Sequence, residues 1–203
     1  MNLDTTKVRS VDSNLFITVS GPPGCGATTF CESLSKSLDC GYVSGGDIFR
    51  EIAADHDMSL SQLIAKSDET NEIDFTIDQR LRKIAEMWGT ANKAFILEAR
   101  LAGWLAGNRA DFRIWLDAPE EVRVNRARDR EEMESEMRVR EVSEAGRYKS
   151  YYDVDLSDRS FYDLVINTAR WSPEATLDIA LTAIEEYQPT DDEGAFQRPD
   201  LTF

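Results

Sequence analysis

Hydrophobic and polar positions along this chain follow two periods, and segments of one kind alternate with segments of the other. Short apolar runs at Leu15–Ser20, Gly41–Ser44, Lys93–Arg100, Phe112–Leu116 and Phe161–Asn167 predict five β-strands. Between the first two, Phe30, Leu34 and Leu38 recur at helical spacing, which predicts a helix from Thr28 to Leu38 with one face on a sheet. Ser172-Pro-Glu174 caps a last helix whose Leu177, Leu181 and Ile184 do the same. Ser59 and Gln62 have capping-box spacing, so a short helix is expected over Leu60–Ala65, with another over Asp74–Met87. Strands alternating with helices predict an α/β fold: a doubly wound, parallel, five-stranded sheet with helices on both faces. Residues 1–13 are polar and aperiodic. From Gln188 onward Pro, Asp, Gly and Thr dominate, so one domain is expected over residues 1–187, followed by an acidic flexible tail over 188–203.

The first strand runs directly into Gly21-Pro-Pro-Gly24-Cys25-Gly26-Ala27-Thr28-Thr29 and then a helix. Glycines at a strand-to-helix turn let successive N–H groups converge on a phosphate at the positive end of the helix. The pattern G-x-x-x-x-G-K-[ST] is met at Gly21, Gly26 and Thr28, whereas Ala27 stands where the phosphate-binding lysine belongs. The doubly wound sheet is therefore of the P-loop kind. Gly21, Gly24, Cys25, Gly26, Ala27, Thr28 and Thr29 are the candidate phosphate-binding residues, and the Thr28 hydroxyl is the candidate magnesium ligand. A glycine-rich turn that holds no ligand is the plainer alternative.

Composition changes the picture by its charge. The 203 residues are 41% hydrophobic with a net charge of −15, enough for a full core but repulsive toward nucleic acid and anionic membrane. The location of the arginines therefore matters. Arg50 follows Ser44-Gly-Gly-Asp47 near the carboxyl end of the second strand, and Glu98 and Arg100 end the third, where an open parallel sheet places its ligands. Arg123, Arg126 and Arg130 share a helix face, as do Arg140, Ser143, Glu144 and Arg147. Two arginine-bearing arms about the polar stretch Glu131–Glu136 predict a closing lid over about residues 126–147. Pairing with local glutamates is the alternative for the first arm and, through Glu136 at i−4, for Arg140, whereas Arg147 has no acid at i−4. Leu101-Ala-Gly-Trp104 is expected to pack.

Cys25, Cys31 and Cys40 lack metal-ligand spacing, and with no signal-peptide pattern they point to a reducing, cytoplasmic setting. The lone His56 lies between Asp55 and Asp57, the pattern of a solvated helix end. No apolar run reaches spanning length.

Five segments together resemble the archaeal-type cytidylate kinases, a family of P-loop nucleoside monophosphate kinases. They are Ile17–Thr29, Val43–Arg50, Leu97–Trp104, Ser143–Tyr148 and Tyr162–Glu174. The resemblance covers about residues 14–186. It implies ATP as co-substrate with Mg2+, CMP as acceptor with dCMP as a second, a helical monophosphate-binding insertion over about residues 45–88, and a monomer. It implies that Arg50 and Arg100 hold the acceptor phosphate with Asp47 near the acceptor nucleoside, and that Arg126, Arg130, Arg140 and Arg147 are catalytic, serving the donor and the transferring phosphoryl. The family varies at the position of Ala27, often with threonine in archaeal members, and alanine removes even that hydroxyl, while Ala99 replaces an expected glycine or serine. Another acceptor, such as UMP, AMP or a small metabolite, and a binder with weakened catalysis stay open.

The acidity reads as an adaptation to high salt. Melting temperature and activity are expected to rise from dilute buffer to molar KCl as salt screens carboxylate repulsion. A flat response would leave an ordinary acidic protein.

Overall fold

The computed structural model describes residues 9–69, 72–128, 134–188 and 201. Five strands, β1 (Phe16–Ser20), β2 (Gly41–Ser44), β3 (Phe95–Glu98), β4 (Phe112–Asp117) and β5 (Leu164–Asn167), form one parallel sheet in the order β2-β3-β1-β4-β5. The strand order reverses beside β1. The crevice at such a switch point is where open α/β sheets place ligands, and the loop after β1 opens into it.

Residue alternation along each strand feeds two cores. Phe16, Phe95, Leu97 and Trp115 point to one face, and Ile17, Val19, Ile96 and Ile114 to the other. Helix α1 (Ala27–Leu38) and α8 (Pro173–Glu186) cover the second face through Phe30, Leu34, Leu181 and Ile184. The first face takes α2 (Gly45–Asp55), α4 (Glu72–Trp88) and α5 (Ala102–Ala106), with Trp88 stacked on Phe95 at a centroid distance of 4.2 Å. Helix α3 (Leu60–Glu69) starts with the expected reciprocal caps: the Gln62 N–H donates to Ser59 Oγ at 3.2 Å, and the Ser59 N–H to Gln62 Oε1 at 2.8 Å. Ser172 Oγ likewise accepts from the Ala175 N–H, ahead of Pro173 at the first helical position.

Boundaries differ from expectation in instructive places. Helix α2 follows β2 with no intervening loop, because Ser44 Oγ accepts from the Gly46 N–H and starts the helix at once. Helix α3 continues to Glu69 rather than ending at Ala65. Helix α5 and the 3-10 turn Gly107–Arg109 were not expected: all five residues of α5 are buried, so no amphipathic period marks it. The expectation that Leu101–Trp104 packs holds. Trp104 is buried against Trp115, Phe161 and Tyr162, mostly edge-on. Two further helices, α6 (Glu120–Arg128) and α7 (Glu134–Tyr152), complete the chain. The expected tail falls outside the described residues except for Gln188 and Leu201; the latter is half-buried against the first core. No helix among the described residues is long and apolar enough to cross a membrane.

Trp104→Ala should destabilise the fold by about 3–5 kcal/mol, since a cavity replaces an aromatic cluster. Denaturant unfolding in molar salt measures it.

Candidate active site

The loop between β1 and α1 turns through Gly24 and Gly26, at φ 78° and 95°, a region that side-chain-bearing residues rarely occupy. Space as well as torsion requires glycine here. A Cβ at Gly21 would lie 2.4 Å from the Leu116 carbonyl oxygen, and one at Gly24 would lie 2.8 Å from that of Arg123. Cys25 is buried beneath the loop, and burial pushes its thiol up to about 11, so it is a packed neutral side chain and not a thiolate.

Three arginines hold the carbonyls that the turn directs outward. Arg123 Nη1 donates to Pro23 O at 3.0 Å and its Nε to Ala118 O at 3.0 Å. Arg126 Nη1 donates to Gly24 O and Cys25 O, both at 3.3 Å, and to Thr168 Oγ1 at 3.0 Å. Thr168 Oγ1 itself donates to Cys25 O at 2.7 Å. Arg100 Nη1 donates to Gly21 O at 3.1 Å.

Helix α7 lies along this assembly and reaches the insertion. Glu141 accepts from both terminal nitrogens of Arg123, at 2.7 and 3.2 Å, and Glu144 Oε2 accepts from Arg100 Nε at 2.9 Å. Arg147 Nε lies 2.6 Å from Asp74 Oδ2 on α4. One helical turn on, the Tyr152 hydroxyl donates to Asp78 Oδ2 at 2.8 Å, and Tyr151 stacks on Phe75. Burial is the main cause that lifts the Asp78 carboxyl to about 7. The Tyr152 hydrogen bond opposes the rise, and Asp74 adds to it.

One cavity collects most of the expected residues. Gly21 through Thr28 form one wall, and Arg50, Arg100 and Arg147 reach it from α2, the end of β3 and α7. Asp47 lies outside that wall and pairs with Arg50 at 2.5 Å, both side chains being more than half exposed. Thr29 and Arg126 line a second, more apolar hollow on the other side of the loop, with Phe30, Trp171 and Pro173. The shared face expected for Arg123 and Arg126 is real, but what it meets is loop backbone; Arg123 also pairs with a glutamate, though not a local one, Glu141 on α7. Arg130 and the Arg140 side chain lie outside the described residues. Sequence reasoning missed Asp78, Tyr148 and Tyr152. Their meeting joins residues 74 positions apart, and no local spacing signals it.

A phosphate-sized anion in this cavity can thus be met by the loop, the start of α1 and the guanidinium groups of Arg50, Arg100 and Arg147, with acids and apolar side chains of α4 and α7 also on the wall.

Comparison with known proteins agrees with this layout. The AAA domain family matches residues 17–149. A cytidylate kinase of Haloquadratum walsbyi is 46% identical over 93% of this chain and 99% of its own length. One from Methanothrix thermoacetophila is 43% identical over 84% of this chain and 98% of its own. Among solved structures, a shikimate kinase from Bacteroides thetaiotaomicron superposes with a TM-score of 0.57 at 15% identity, over 84% of this chain and 98% of that one. A gluconokinase from Sinorhizobium meliloti gives 0.55 at 14% identity, over 87% and 93%. These two speak for the fold alone.

The raised Asp78 carboxyl has a sign in stability. Its folded value lies above the unfolded one of about 3.9, so its contribution is intact below that value and is lost as pH rises toward about 7. Asp78→Asn should therefore gain stability relative to the parent between about pH 4 and about pH 7. Urea unfolding curves at several pH values test it, and a constant difference between the two proteins would contradict it.

Proposed function

This chain belongs to the cytidylate kinase family and is a nucleoside monophosphate kinase; we propose that it transfers the γ-phosphoryl group of ATP to CMP, with dCMP as a second acceptor. The observation that carries the reading is the single cavity in which the loop Gly21–Thr28 faces Arg50, Arg100 and Arg147. Phosphoryl transfer asks for positioning and charge neutralisation more than for a covalent nucleophile, and this wall offers both. Arg50 and Arg100 take the acceptor phosphate, and Arg147 sits where α7 can bring it to the transferring group. Glu144 pairs with Arg100 and Asp74 with Arg147, so a phosphate bound at either guanidinium competes with that carboxylate as partner.

Thr28, exposed in the first turn of α1, and Glu98, at the end of β3, put a hydroxyl and a carboxylate on the cavity. This hard-oxygen set fits magnesium held chiefly by substrate phosphates and water, and Thr28 and Glu98 would be its protein ligands. When bound, the ion neutralises charge between the outer phosphates. The second hollow, with half-exposed Trp171 beside Phe30 and Pro173, fits the donor base. Arg130 and Arg140 join the lid in this reading, and Asp47 acts on the acceptor only through Arg50.

Ala27 favours a second reading. Without an ammonium on the loop, donor phosphates could bind with little turnover. A coupled assay with ATP and magnesium across CMP, dCMP, UMP and AMP separates the two. ATP binding with no turnover of any acceptor would sustain the second.

Arg100→Ala should lower kcat/KM for CMP by roughly tenfold to a hundredfold, the equivalent of a charge-assisted contact of about 1.5–3 kcal/mol. Titration of ATP checks the assignment. An equal loss of ATP affinity would mean that Arg100 serves only the loop, through Gly21.

A further inference from the structure

Arg100 meets the loop at Gly21 O, and beyond Arg147, paired with Asp74, the α4 part of the wall carries Asp78, Ile77 and Leu81, with Phe49 and Tyr148 also lining the cavity. Apolar surface with one buried carboxyl suits a nucleobase and repels phosphate. Asp78 is a carboxyl there with an open acceptor position. Its Oδ2 accepts from the Tyr152 hydroxyl, and its Oδ1 is on a residue that lines the cavity and makes no other hydrogen bond among the described residues. Asp74, one helical turn away, is held by Arg147.

We propose that Asp78 is the specificity-determining residue of the acceptor site, its Oδ1 accepting a hydrogen bond from the exocyclic amine of cytosine while Tyr152 fixes the carboxyl plane. This rests on the acceptor being CMP. Uracil presents a carbonyl oxygen at the same ring position, and two acceptors facing each other in a buried site leave both unpaired. Discrimination then follows from a mispaired polar group, the kind of difference on which sites achieve large selectivity. Tyr152 matters because it breaks the symmetry of the carboxyl. With Oδ2 occupied, only Oδ1 can read the base.

The charged and titratable groups facing Asp78 are Asp74 on its own helix and Glu144, Arg147, Tyr148 and Tyr152 on α7. A protonated Asp78 has its proton available on Oδ1, which turns the same atom into a donor toward the uracil oxygen. Preference for CMP over UMP should therefore narrow as pH falls.

The test compares kcat/KM for CMP and UMP, with ATP and magnesium, in the unaltered protein and in Asp78→Asn. In the variant, Tyr152 donates to the amide oxygen and the amide nitrogen faces the base, so the CMP-to-UMP ratio should fall by at least about tenfold. A smaller change in a folded variant overturns the role of Asp78. Turnover of neither nucleotide by the unaltered protein overturns the CMP reading and this inference with it, whereas CMP turnover with an unmoved ratio in the variant overturns only the inference. Should the variant fail to fold, equilibrium binding of CMP and UMP to the unaltered protein decides. The affinity ratio should rise by at least about threefold from about pH 6 to about pH 8, and a flat ratio overturns the proposal. The phosphate of both ligands titrates alike near pH 6, so it cancels in the ratio.

Discussion

A loop that gathers its N–H groups around an anion must send carbonyls the other way, and in this protein those carbonyls are what the arginines hold. Gly21, Pro23, Gly24 and Cys25 each give a carbonyl oxygen to Arg100, Arg123 or Arg126. A buried carbonyl without a partner costs about as much as a lost hydrogen bond, so the loop can keep two left-handed glycines only with this scaffold behind it. Arg123 illustrates the arrangement. It is almost fully buried, and besides Pro23 O and Ala118 O it carries Glu141 on both terminal nitrogens, so one side chain fixes the loop, the start of α6 and α7. Arg126 extends the scaffold across Thr168 to the turn before α8, joining the two hollows on either side of the loop.

That scaffold explains which parts of the site were legible in the sequence. The loop, its strand and its helix are local, and glycine spacing reveals them. Arg100 and Arg147 were found because strand-end and helix-face positions are also local properties, and the structure brings both to one cavity. Arg123 and Arg126 share the spacing that suggested a phosphate-facing row, yet spacing cannot say whether a helix face meets ligand or backbone. Contacts between α4 and α7 were invisible for another reason. In a chain with net charge −15, Asp74 and Asp78 look like two more solvated acids, and only the fold buries them. Helix α5 was missed because it is buried on every side, which erases the period that would have marked it.

Two ion pairs tie α7 to the rest of the cavity wall. Arg100 with Glu144 and Arg147 with Asp74 are nearly buried, and removing one partner of such a pair leaves a costly buried charge. A phosphate placed at Arg100 or Arg147 would compete with a carboxylate already paired there. Glu144 and Arg147 stand on α7 and Asp74 on α4, so the two pairs tie α7 to the end of β3 and to α4.

Ala27 sharpens the consequence. A lysine on the loop would bring its charge to the donor phosphates whatever the lid did, since it travels with α1. Here the cations of the cavity stand on α2, the end of β3 and α7, outside the loop itself. Arg100 is anchored to Gly21 O, while Arg147 is placed by α7 and its pairing with Asp74. In the proposed reaction, charge neutralisation at the transferring group would thereby depend on the position of α7, with the loop contributing its amides and the start of α1. In a chain of net charge −15, three guanidinium groups on one cavity give an anion a local attraction that the overall charge opposes.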